Sequence, residues 1–151
     1  MDWLERHKSE IRVQPVVVHL DFHANNVSLC DDDQMKVIDW TQISVSDYRL
    51  DLTWTLMIMG DYGQTQWGER ILQTYCQVVN KPLESLGYFN VLTYTKLLAN
   101  TVISSRNSPT ELGMRPEKAE SIKRKDPILR KLDERVHKIA DINVPEWDEI
   151  C

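Results

Sequence analysis

The amino-acid sequence changes character near residue 60, and that change limits the folds open to it. The first part is turn-rich and carries three short β-branched runs: VVVHL (Val16 to Leu20) after Pro15, NVSLC (Asn26 to Cys30) and MKVID (Met35 to Asp39). The polar turn DDDQ (Asp31 to Gln34) separates the last two, so they read as a hairpin. The remainder is helical. From Arg49 to about Gly60 the turn-free stretch LDLTWTLMIM reads as a buried helix ending at Gly60. Trp67 to Val79 places Ile71, Leu72, Tyr75, Val78 and Val79 on one face, with Pro82 as a stop. A central packing helix is expected from about Tyr88 to Ser105, then a loop at Asn107, Ser108 and Pro109. A last helix runs from Pro127 to about Ala140, with Ile128, Leu129, Leu132, Val136 and Ile139 as its apolar stripe. Strands followed by helices argue an α+β fold.

With 151 residues, 42% of them hydrophobic, one domain spanning residues 1–151 with a real core is expected. The 23 acidic and 18 basic side chains give a net charge of −5, and no long basic run is present, so a nucleic-acid polymer is excluded as the expected partner. No apolar stretch approaches a bilayer span, and MDWLERHKSE lacks the apolar centre of a signal peptide, so a cytoplasmic protein without a membrane partner is expected. Cys30, Cys76 and Cys151 are widely separated, odd in number and form no CxxC pair, which reads as free thiols.

The chemistry-bearing residues lie in HLDFHANNVSL and VIDW. Asp21 precedes Asn26 by five residues, and Asp39 lies thirteen further on, beyond the expected hairpin. The hairpin can fold Asp39 back beside the loop, so that three oxygen-bearing side chains converge. A kinase-type site needs that set: one carboxylate to accept a hydroxyl proton, and a carboxamide and a second carboxylate to hold magnesium against nucleotide phosphates. Any one of these residues alone is more often a local turn or cap former. The ordered string is what carries weight.

Residues 19 to 52 resemble the signature of the aminoglycoside phosphotransferase and choline kinase family, HGDFHPGN, then IDW, then GDPxxDLA; the matching strings here are HLDFHANN, IDW and SDYRLDLT. The likeness continues more weakly through Trp67 to Leu98 and covers roughly two-thirds of the chain. It implies the mainly helical large, C-terminal lobe of the protein-kinase-like fold, with a small hairpin at the catalytic loop. It implies a catalytic loop and metal site at 16–52, a helical substrate-side region at 53–140 and a tail at 141–151. By that resemblance Asp21 is the catalytic base, Asn26 and Asp39 ligate Mg2+, Asp47 and Asp51 brace the loop, and ATP is the co-substrate. Leu20 stands where the family has glycine, and Ala24-Asn25 where it has Pro-Gly. A leucine resists backbone angles that glycine supplies freely.

A complete enzyme of this kind carries a small nucleotide-binding lobe before this segment, and only eighteen residues precede His19 here. The expectation is a truncated or split large lobe that transfers the terminal phosphoryl group of ATP to the hydroxyl of a small aminoglycoside-, choline- or sugar-like acceptor. It would be weak or inactive alone, with a separate lobe or self-association to complete it. The alternative is a catalytically silent kinase-like binding or assembly module. His19 is expected to prop the loop, and His23 to do the same or touch substrate. His7 is expected to be exposed. Trp54, Tyr62 and Trp67 are candidates for an acceptor pocket, although aromatics at helical spacing are more often core.

Overall fold

In the computed structural model, residues 2–61 and 65–106 are described, together with Glu134 and Lys138. The β-branched run after Pro15 forms a strand, Pro15–Val18 (β1), and its partner is a second strand, Ser44–Asp47, in antiparallel register from Pro15 opposite Asp47 to Val18 opposite Ser44. This partner, β4, was not expected, because Ser-Val-Ser-Asp holds a single β-branched apolar residue. Between them in the chain lies the expected hairpin of Val27–Leu29 (β2) and Met35–Val37 (β3), paired Val27 to Val37 and Leu29 to Met35. Its turn closes through the Cys30 N–H to Gln34 O at 2.8 Å and the Asp33 N–H to Cys30 O at 3.0 Å, with Asp33 left-handed at φ 60°. Aspartate tolerates that conformation better than most residues.

Four helices complete the described chain: Asp2–His7 (α1), Tyr48–Asp61 (α2), Thr65–Val79 (α3) and Leu86–Arg106 (α4). The mixture of small antiparallel sheets and helices is α+β, as expected. The helix expected over Pro127 to Ala140 lies outside the described residues, apart from Glu134 and Lys138, which are helical and exposed. Among the described residues no helix is long and apolar enough to cross a membrane.

The hydrophobic core joins α2, α3 and the start of α4. Leu52, Leu72, Leu83 and Leu86 are buried together, with Tyr48, Leu56, Ile71, Tyr75 and Cys76 packed against them. Cys30 is a free thiol, as expected. The apolar face of α3 is covered only along its middle: Val78 is 81% exposed at its end, although helical spacing had placed it inward. Between α2 and α4 the contact is polar at its centre, where Thr53 Oγ1 meets Thr93 Oγ1 at 2.7 Å and lies 2.9 Å from the Arg49 carbonyl. Both threonines are almost completely buried, and each hydroxyl finds a partner, so their burial carries no unpaired polar group. His7 is half-buried rather than exposed, because its ring stacks on Trp3 at 4.2 Å and its Nδ1 lies 2.8 Å from the Trp3 carbonyl.

The segments are fastened by one buried ion pair. Arg49, near the start of α2, donates from Nε to Asp47 Oδ1 at 2.8 Å and from Nη2 to Asp47 Oδ2 at 2.9 Å. Its remaining donors reach the Glu84 carbonyl (3.0 Å) before α4 and the Arg12 carbonyl (2.8 Å) before β1. The guanidinium also lies over the Phe89 ring, 4.4 Å from its centroid. Asp47 caps α2 by accepting the Arg49 N–H at 3.0 Å, and accepts the Gln14 N–H at 2.7 Å. Burial alone pushes the Asp47 carboxyl up; the hydrogen bonds from Arg49 and the Gln14 N–H outweigh it and hold the group below its ordinary value.

The pair leads to two expected outcomes. Arg49→Met leaves the Asp47 charge buried and unpaired, and should cost about 3–5 kcal/mol of stability by urea denaturation. Because the Asp47 carboxyl is depressed in the folded state, its contribution is complete above the ordinary carboxylate value of roughly 4 and is lost as pH falls through the folded value. The urea midpoint should therefore fall on acidification below about pH 4. Asp47→Asn should remove that part of the pH dependence.

Candidate functional site

The loop after β1 is held from beneath by α2. Asp51, in the first turn of that helix, accepts the His19 N–H on Oδ2 at 3.0 Å and the Leu20 N–H on Oδ1 at 2.6 Å. Both carboxylate oxygens are used, so two consecutive peptide groups are set by one side chain. Leu20, at the position of the glycine in the resembled motif, has φ 58°.

His19 joins this loop to the end of the hairpin. Its ring is buried, with Nε2 3.0 Å from the Ile38 carbonyl and Nδ1 3.3 Å from the Asp21 backbone N–H. A carbonyl only accepts, so Nε2 carries the hydrogen and Nδ1 accepts from Asp21; both nitrogens are occupied in the neutral ring. Trp40 packs edge-on against the same ring at 4.7 Å and Phe22 at 6.4 Å.

Asn26 supplies the second tie. Its Nδ2 donates to the Asp21 carbonyl at 2.8 Å and to Asp21 Oδ2 at 3.2 Å, while its own carbonyl accepts the Ile38 N–H at 2.9 Å. With the amide nitrogen committed to Asp21, the group Asn26 can offer a ligand is its side-chain oxygen. His23 Nε2 lies 3.6 Å from Asp21 Oδ1, too long for a hydrogen bond and within ion-pair range.

Asp39 sits between Ile38 and Trp40, so the residues on either side of it are both fastened to the His19 and Asn26 frame. Its backbone is left-handed, at φ 60° and ψ 59°, and its exposed carboxylate accepts the Thr41 hydroxyl at 2.8 Å on Oδ1. The Asp21 and Asn26 side chains are thus in direct contact. Asp39 follows Ile38, whose backbone is bonded to His19 and Asn26, and its side chain makes no hydrogen bond to Asp21 or Asn26. Among the described residues no three His, Cys, Asp or Glu side chains cluster to hold a metal by themselves.

The other sequence candidates sit apart. Asp47 holds Arg49 and Gln14. Trp54 is half-buried on α2, and Trp67 is 44% exposed on α3 with Arg70 over its ring at 5.6 Å, so Trp67 is not the core residue that its spacing suggested. Neither tryptophan makes a hydrogen bond or ring contact with the Asp21 loop among the described residues. Tyr62 lies outside them. Sequence reasoning missed Thr41, which partners Asp39, and Arg49, on which the surrounding frame depends. A signal for Arg49 was present in Asp47-Tyr48-Arg49, a capping residue with a cation two positions later.

A model of the phosphotransferase enzyme family (APH) matches residues 1–86, more than half of the chain and the part containing the whole loop, hairpin and α2 frame. Neither curated proteins nor solved structures give a significant match. The family match agrees with the motif resemblance and covers the same hydrogen-bonded frame, and on that ground the chain belongs to the phosphotransferase enzyme family.

Proposed function

We propose that the chain is the large lobe of a protein-kinase-like phosphotransferase that moves the γ-phosphoryl group of ATP to a hydroxyl of a small molecule. The observation that carries this reading is the contact of Asp21 with Asn26, next to a His19 bridge to Ile38, the residue before Asp39. Asp21 orients the acceptor hydroxyl and takes its proton as the new O–P bond forms and the bond from the γ-phosphorus to the departing ADP oxygen breaks. Asn26 fixes the Asp21 carboxylate through Nδ2, and the His19 ring holds the backbone on which Asp21 sits. Catalysis of this kind is positioning and charge neutralisation more than covalent chemistry by the protein.

The donor set suits magnesium. An amide oxygen of Asn26 and the carboxylate of Asp39 are hard oxygen ligands, and Mg2+ is usually held by one or two carboxylates together with substrate phosphates. Bound there, the ion would neutralise phosphate charge; the two residues alone do not make a closed site.

Exposed apolar residues around β1 support a covering partner. Val17 and Val45 are cross-strand neighbours, 63% and 74% exposed, and Val16 and Trp40 are exposed as well. A small nucleotide-binding lobe is the proposed cover, with self-association as the other arrangement. Either would remove apolar surface from water.

ATP turnover against a panel of hydroxyl acceptors, alone and with a nucleotide-binding lobe supplied, tests the proposal. Asp21→Asn and Asp39→Asn should each lower turnover on the order of a hundredfold or more, and Asp39→Asn should also weaken the response to magnesium. Turnover in Asp21→Asn equal to that of the parent would show that the base is misassigned. In calorimetric titration, magnesium with a non-hydrolysable ATP analogue should bind the chain alone more weakly than about 1 μM, since the phosphate and base contacts lie in the covering lobe.

A further inference from the structure

We infer that Leu20 is a positioning residue whose left-handed backbone makes the setting of Asp21 contingent on Asp51. The non-glycine residues with positive φ among those described are Leu20, Asp33, Asp39, Asn80 and Ser85. Four of these are small and polar, and aspartate and asparagine in particular enter this region readily because their side chains bond locally. Leu20 has no such means. A left-handed leucine is disfavoured by roughly five- to thirtyfold in population relative to its ordinary conformations, so something outside the residue must hold it there.

That hold is Asp51. One oxygen takes the Leu20 N–H at 2.6 Å and the other the His19 N–H at 3.0 Å, so the peptide groups on both sides of the His19 Cα are fixed. The next residue is Asp21, whose N–H reaches back to the His19 ring at 3.3 Å. Rotation of Leu20 to negative φ would swing that N–H off the ring and carry the Asp21 carboxylate away from Asn26. A glycine at position 20 reaches the same φ without steric cost and needs less support. The dependence on Asp51 is therefore a property of leucine at this position, and it deepens the phosphotransfer reading only in its catalytic consequence.

The test is a double-mutant cycle of Leu20→Gly and Asp51→Asn, with the parent and the combined variant. Asp51→Asn keeps the shape but turns one accepting oxygen into an NH2 group that faces a backbone N–H. Three quantities are read: the folded-to-unfolded ratio from denaturation, the exchange rate of the Asp21 amide by NMR, and kcat and KM in the turnover assay with a supplied lobe. In the Leu20 background, Asp51→Asn should lower the folded ratio and speed Asp21 amide exchange by about tenfold or more. In the Leu20→Gly background both effects should shrink severalfold, and the kcat lost in Asp51→Asn should be regained, with KM for magnesium-nucleotide little changed. Equal effects of Asp51→Asn in the two backgrounds, on stability and on Asp21 exchange, would overturn the inference. Absence of turnover in all four proteins would instead count against the phosphotransfer reading, while exchange and stability still decide the role of Leu20.

Discussion

A guanidinium removed from water must find a partner for its donors, and in this chain that requirement organises the fold. Arg49 satisfies it with the Asp47 carboxylate and with carbonyls from Arg12 and Glu84, which lie far apart in the sequence. Because the group is charged and almost fully buried, partial satisfaction is costly, and the segments before β1 and before α4 are drawn to the start of α2 together. Asp47 contributes twice, as ion-pair partner and as helix cap. The orientation of the first turn of α2, which carries Asp51, is thereby fixed.

From that turn the constraint passes upward through a series of partly buried hydrogen bonds. Asp51 sets the backbone of His19 and Leu20; His19 sets Asp21 and Ile38; Asn26 ties Asp21 to the same Ile38. His19 and Asn26 are buried, Asp51 and Asp21 are half-buried, and Asp39 is exposed. In the proposed phosphotransfer this arrangement would let a preorganised carboxylate meet a ligand without reorganising the core.

Much of this was legible in the sequence where the signal is local. The β2–β3 hairpin announced itself through β-branched runs flanking a polar turn, and α2, α3 and α4 through apolar spacing and their stops. The proximity of Asp21 and Asn26 was readable because five residues in one loop cannot separate them far. β4 was not readable, since Ser44-Val45-Ser46-Asp47 becomes a strand only because β1 offers it a ladder. Arg49 was missed for a related reason: the local signal in Asp47-Tyr48-Arg49 puts a cation near a capping residue but does not show that carbonyls more than thirty residues away will help bury it. The exposed ends of α3 show the converse, an apolar face that extends beyond the helix covering it.

The hairpin has a consequence for how this region tolerates change. The contacts that place Asp39 are all made at the hairpin's root, through Ile38 and Trp40, and none involves the turn at 30–34. Length along the chain is thus uncoupled from position in space: residues can be added or exchanged at the tip while the root stays in register. Such a tip is a natural site for sequence drift between relatives and for inserted tags. The adjoining free thiol of Cys30 offers a place for a reporter group that hears motion of the hairpin without touching its root.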